Sequence, residues 1–144
     1  PLITSGPTLE TAGVRVIKYQ PDAVTSDQGR GENDFLIYRY SDAVLMRAEA
    51  RLRSGNTAGA LDDINAVRTA RGLNALSSVT LDEILDERSR ELYWEGHRRQ
   101  DLIRFGKFTE AWTNKGQTSA DKIIFPIPQT AIDVNPNLTQ NPGY

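Results

Sequence analysis

Cysteine is absent from the 144-residue chain. That excludes disulfides, thiolate metal sites, thiol nucleophiles and a lipid-modified cysteine within these residues, and it leaves the redox compartment open. Histidine is almost absent too. With His97 alone, a second histidine at metal-ligand spacing is lacking and any Ser-His-Asp arrangement would have to pass through that one ring. Long apolar runs are missing: the longest, Phe35 to Tyr38 and Ala43 to Met46, are four residues each, where a bilayer-spanning helix needs about twenty. An excess of positive charge is missing as well, because 17 Lys and Arg stand against 19 Asp and Glu for a net charge of −2. Nucleic acid is therefore not an expected partner. The chain opens on Pro1-Leu2-Ile3 without methionine or a basic-then-apolar leader, which reads as a processed or truncated piece.

What is present suits one domain with a modest core, since 38% of residues are apolar. Residues 1–34 are rich in Gly, Thr, Pro and Asp and read as an extended or loop segment with one possible strand, Val14-Arg15-Val16-Ile17-Lys18-Tyr19. Residues 35–112 have a helical texture. Leu36, Tyr40, Val44, Ala48 and Leu52 recur every four residues, the stripe of one helix face starting near Phe35, and Gly55 supplies its stop. A second helix follows at once, with Thr57 as expected N-cap, Leu61, Ile64 and Val67 as its stripe and Gly72 as its end. So short a connection predicts an antiparallel helical hairpin. Ala48, Gly55, Ala60, Ile64 and Val67 reproduce positions of a tetratricopeptide repeat, although Val44 and Arg51 replace its usual large aromatics and only one copy is visible.

A third helix opens on a capping box, Thr80 with Glu83, and carries Leu81, Ile84, Leu85, Leu92 and Trp94 as apolar contacts up to Gly96. His97 to Trp112 predicts another helix broken near Gly106, and residues 113–144 predict an extended tail, with Pro126 and Pro128 disfavouring helix at their predecessors.

Carboxylates are densest on the third helix. Two of them could serve as acid and base at a glycosidic bond if one were held protonated. Their spacing favours structure instead: Asp86 with Arg90, Glu87 with Arg90, Arg88 with Glu91, and Glu95 with Arg98 stand one turn apart, while Glu87, Glu91 and Glu95 stack and call for a compensating arginine. His97 beside Arg98 and Arg99 suits a polar helix end better than catalysis. Gly29-Arg30-Gly31 lacks the lysine of a phosphate loop. Tyr93, Trp94, Phe105 and Phe108 are expected in the core by spacing. Trp112 is the exception, lying where the helical pattern stops beside Asn114, Lys115 and Gln117, where a half-exposed ring could stack on a sugar.

Three ordered motifs then carry a family resemblance. Arg39-Tyr40-Ser41-Asp42-Ala43-Val44-Leu45-Met46-Arg47-Ala48-Glu49-Ala50 with Ile64-Asn65-Ala66-Val67-Arg68 is the first. Glu87-Arg88, Glu91-Leu92, Glu95-Gly96, Arg98, Asp101-Leu102 and Arg104-Phe105-Gly106 form the second, and Phe125-Pro126-Ile127-Pro128 with Asn135 to Tyr144 the third. In this order they resemble the C-terminal portion of the SusD/RagB family, the starch-utilisation-system D proteins, over residues 35–144.

The resemblance implies a mainly α fold of tetratricopeptide-like helical hairpins with extended N- and C-terminal segments. It implies an outer-membrane, cell-surface lipoprotein that captures oligosaccharides or polysaccharides for a SusC-like TonB-dependent transporter, without enzymatic activity or cofactor. Members are several times longer and begin with a lipid-bearing cysteine, so membrane association would run only through an N-terminal anchor absent from these residues. Glycan contacts in the family come largely from loops upstream of the motifs, so no binding residue is carried over and Trp112 remains the candidate. Arg88, Glu91, Glu95, Arg98 and Asp101 are expected to hold the third helix to its neighbours. A tetratricopeptide-like protein-interaction module is the alternative reading.

Overall fold

The computed structural model describes residues 34–144 together with Val16, Lys18 and Tyr19. The possible strand at Val14 to Tyr19 and the Gly29-Arg30-Gly31 segment lie largely or wholly outside the described residues. The chain divides into two units, residues 1–36 and 37–144, and every described helix belongs to the second. The described residues are mainly α: α1 Tyr40–Arg53, α2 Thr57–Ala70, α3 Leu81–Glu91, α4 Arg98–Arg104 and α5 Gln129–Val134, with one 3-10 turn at Ala120–Ile123.

Helix α1 begins five residues later than the stripe from Phe35 predicts. Arg39 is extended, and its carbonyl accepts the amides of Asp42 and Ala43. Phe35, Ile37 and Tyr38 stay exposed outside the helix; aromatic and β-branched side chains lose rotamer freedom in a helix, and nothing buries these in return. Tyr40, expected on the buried stripe, is also exposed, whereas Val44, Leu45 and Ala48 are buried. The helix closes on a left-handed Gly55 (φ 86°) whose amide donates to the Leu52 carbonyl while Asn56 N–H donates to that of Arg51, so two orphan carbonyls are satisfied at once.

Asn56, not Thr57, caps α2: its Oδ1 accepts from the Gly59 amide at 2.9 Å. A carboxamide oxygen satisfies a free helix amide as well as a hydroxyl does, so the cap falls one residue earlier than expected. The α1–α2 hairpin holds the hydrophobic core, where fully buried Ala48 and Ala60 allow close approach and Leu45, Ile64 and Ile84 are completely enclosed. Each of those three large side chains contributes about 1.5–3 kcal/mol by leaving water. The connection to α3 is held by Asn65, whose carboxamide both donates to the Leu76 carbonyl and accepts its amide, placing Leu76 against the core.

The expected capping box opens α3: Glu83 N–H donates to Thr80 Oγ1 and Thr80 N–H to the Glu83 carboxylate. After Glu91 the chain turns through Trp94 and Gly96, both with positive φ, into α4. That helix stops at Arg104 and does not resume toward Trp112; Gly106 and Lys107 amides close it on the Ile103 and Leu102 carbonyls. The tail is extended in part only. Pro128 leads into α5, since a proline suits the start of a helix although it forbids the residue before it from joining one. The tail also folds back on itself: the Gln140 carboxamide pairs with both backbone groups of Ile127, and Tyr144 Oη donates to the Ile124 carbonyl.

Candidate functional site

Most charged residues of the second motif are buried, with Arg98 and Arg104 exposed. Helical spacing puts Asp42 and Glu49 of α1, Glu87, Arg88 and Glu91 of α3, and Asp101 of α4 among the buried residues. Arg88, only 3% exposed, places Nε 2.8 Å from Asp101 Oδ2 and Nη1 2.8 Å from Asp42 Oδ1, the latter an ion pair without hydrogen-bond alignment. It thereby joins α3 to α1 and α4. Arg39 bonds both Glu95 oxygens at 2.9 Å through Nε and reaches the Glu91 carboxylate and carbonyl with its two terminal nitrogens. Arg71, just past α2, makes a bidentate pair with Glu91 at 2.7 and 2.9 Å. Glu87 accepts from Arg68 and Arg90 at 2.8 Å each, and Glu49 from Arg53 and Arg104.

Of the pairs expected within the third helix, Glu87 with Arg90 forms. Arg88 turns to other helices, and Arg98 Nη1 donates to the Leu85 carbonyl at 3.1 Å. Arginines from α2 and from the residues flanking α1 and α2 neutralise the stacked Glu87, Glu91 and Glu95. Burial is the largest influence on Glu91 and alone would raise its pKa, but hydrogen bonds from Arg71, Arg39 and Ser41 outweigh it and hold the carboxyl at about 2. A general acid needs the opposite displacement. The lattice thus links the four helices α1 to α4 through ion pairs.

Two clefts flank α3. The larger, about 570 Å³, is lined by Asp82, Asp86, Arg98, Lys107, Glu110 and Trp112 among others. Trp112 stands in a tight loop where it and Lys115 exchange backbone hydrogen bonds at 2.9 and 3.0 Å around a left-handed Asn114. Lys115 Nζ lies 4.3 Å from the indole centroid, fixed there by the Glu110 and Gly116 carbonyls. Trp112 is 46% exposed. Lys107 Nζ sits 3.8 Å from Asp82 and 3.7 Å from Glu110. An aromatic face beside exposed carboxylates and ammonium groups offers stacking together with acceptors and donors for hydroxyls.

The second cleft, about 350 Å³, is bordered by Tyr93, Trp94, Arg98 and Arg99. Trp94 and Tyr93 are exposed, at 71% and 55%, contrary to their expected place in the core. The reason is local: α3 ends at Glu91, and the left-handed turn (Trp94 φ 69°) breaks the helical phase on which that expectation rested. Phe105 packs on the core and Phe108 is half-buried under Arg99, 4.9 Å from the ring. His97 lies at the start of α4 beside Tyr38, its Nε2 buried without a hydrogen-bond partner. Among the described residues no cluster could hold a metal ion, and no helix is long and apolar enough to cross a membrane.

Sequence reasoning missed Arg39 and Arg71 as partners of Glu91, and no helical periodicity could supply them, because they act from 52 and 20 residues away.

The SusD family model matches residues 4–144. The chain is 36% identical over 148 aligned residues to the starch-binding protein SusD of Bacteroides thetaiotaomicron, covering 93% of this chain and 26% of that protein. Among solved structures, surface glycan-binding protein A from Bacteroides uniformis aligns with a TM-score of 0.68 at 34% identity, over 77% of this chain and 28% of that one. A laminarin-binding SusD-like protein aligns with a TM-score of 0.65 at 40% identity, over 74% and 22%. The chain therefore spans 22–28% of the length of these relatives.

Proposed function

The chain belongs to the SusD family, and on that premise we propose that it is part of a protein that captures glycans at the outer-membrane surface for a TonB-dependent transporter. The observation that carries the glycan reading for these residues is the open Trp112 cleft, where a half-exposed Trp112 with Lys115 Nζ 4.3 Å from its ring centroid is flanked by Asp82, Asp86 and Glu110. The names of the relatives, starch-binding and laminarin-binding, support the same ligand class. The surface location and the transporter partner rest on the family.

The reading is of capture without cleavage. The best-enclosed acids, Asp42, Glu87 and Asp101, are each committed to arginine, and Glu91 is held ionised. In the same reading Arg88, Glu91, Glu95, Arg98 and Asp101 serve to fix α3 and α4 so that the cleft keeps its shape. A tetratricopeptide-like peptide site on the α1–α2 hairpin has less support, because the depression between those helices is only about 130 Å³.

Affinity electrophoresis in gels containing starch or laminarin tests the proposal. The chain is expected to be retarded weakly, with Kd on the order of millimolar, and Trp112→Ala to run as in a gel without glycan while keeping its helical circular dichroism. Retardation unchanged by the substitution would move the glycan away from Trp112. Absence of retardation in the parent chain would overturn the glycan reading for these residues.

A further inference from the structure

The arginine–carboxylate lattice leaves two arginines over. Every other arginine among the described residues is ion-paired to a carboxylate. Arg98 and Arg99 have no ion pair among those residues, and both line the cleft of about 350 Å³ beside Trp94. They are nevertheless held in place. Arg98 Nη1 donates to the Leu85 carbonyl at 3.1 Å. Arg99 Nη2 donates to the Lys122 and Ile123 carbonyls at 3.3 and 3.1 Å, and its guanidinium carbon lies 4.0 Å from the Phe125 centroid and 4.9 Å from that of Phe108. Carbonyls and rings fix a guanidinium without neutralising its charge. The other two nitrogens of each arginine make no hydrogen bond among the described residues, so charged donors stand preorganised and little side-chain freedom remains to be lost when an anion arrives.

The lining decides what kind of ligand fits. Sugar hydroxyls need acceptors as well as donors. The one acid among the described residues of this cleft, Asp101, is 2% exposed and already paired with Arg88 and Arg104, whereas the Trp112 cleft has Asp82, Asp86 and Glu110. A carboxylate only accepts and matches the guanidinium fork, so it suits a cleft of donors better than a sugar does. Beside the arginines stands Trp94, 71% exposed, its ring 6.0 Å from that of Tyr93. Trp, Tyr and Arg are the residue types that carry most of the energy of protein–protein contacts. We infer that this cleft docks an acidic peptide segment of a partner protein, with Asp or Glu carboxylates on Arg98 and Arg99 and a neighbouring apolar side chain against Trp94. The inference does not depend on the glycan reading, which rests on Trp112.

Fluorescence anisotropy with two labelled peptides is the test, one carrying a phenylalanine between pairs of glutamates and the other glutamines in their place. The parent chain is expected to bind the acidic peptide with Kd on the order of 0.1 mM at low salt and the glutamine peptide at least about tenfold more weakly. The preference should vanish in about 1 M salt, where the Debye length falls to about 3 Å. Arg98→Gln and Trp94→Gly should each weaken the acidic peptide by about fivefold or more while keeping the helical circular dichroism of the parent. Glycine is chosen at 94 because it adopts the left-handed backbone there without strain, so that variant decides the matter even if Arg98→Gln loosens the fold. Equal binding of the two peptides, no binding of the acidic one, or a Trp94→Gly variant that binds it as tightly as the parent overturns the docking site. A galacturonate trimer that displaces the labelled peptide more strongly than the unlabelled peptide does would assign the cleft to an acidic glycan and overturn the protein partner.

Discussion

Replacing Arg88 by methionine is the perturbation that most directly tests the scaffold role of the arginine–carboxylate lattice. Methionine keeps much of the volume and removes the charge. The guanidinium is 3% exposed, and its partners Asp42 and Asp101 are 2% and 3% exposed at the side chain. Asp101 keeps Arg104, whose Nη2 lies 2.9 Å away. Asp42 has no second cation among the ion pairs of the described residues, and its Oδ1 has no hydrogen bond to fall back on. Removing one partner of a buried pair costs about 3–5 kcal/mol, because the remaining charge stays desolvated. For a domain of this size about 1 kcal/mol corresponds to roughly 2–4 °C in Tm, so a fall of roughly 6–20 °C is expected. Urea unfolding followed by helical circular dichroism measures the loss, and the double variant Arg88→Met with Asp42→Asn should recover part of it. An Arg88→Met variant as stable as the parent at neutral pH would refute the scaffold role.

Other outcomes follow from the same geometry. Glu91 is depressed from 4.5 to about 2 in the folded chain, so its contribution to stability is present above the ordinary carboxylate range and lost as pH falls from about 4.5 toward 2; melting curves across that window should flatten in Glu91→Gln. Thr80→Ala removes the hydroxyl that caps α3 and should cost about 1 kcal/mol, read as a lower urea midpoint at unchanged m. Gly143→Ala sets a methyl 2.7 Å from Asp121 Cβ at a residue whose φ is 85°; faster amide exchange in residues 120–144 is expected, and unchanged protection would show that the tail clasp does not depend on that close approach.

The fold was legible where local chemistry decides it. Gly55 and Gly72 end their helices, Thr80 with Glu83 starts one, and small residues mark the α1–α2 crossing. It was illegible where a distant group decides. Phe35 to Tyr38 continue the apolar stripe on paper, but Arg39 leaves the helix to reach Glu91 and Glu95, and α1 starts after it. Trp94 shows the same limit: its spacing belongs to α3, but its backbone belongs to the turn beyond. For the site, Trp112 stood out because the helical pattern stops beside it, whereas nothing in the order of residues joins it to Asp82 and Asp86, thirty and twenty-six positions away by subtraction.

The Arg88 fork has a consequence for alignment of the helices. Apolar surfaces pack almost as well after one helix slides along another, because a methylene has many acceptable neighbours. A guanidinium whose two arms must meet Asp42 on one helix and Asp101 on another has a single solution. Sliding α3 by one residue would carry it about 1.5 Å along and about 100° around its axis, pulling both arms from their carboxylates together. On this geometry Arg88 is expected to work as a key that sets the register of α3 against α1 and α4, and with it the order in which side chains appear along the cleft wall.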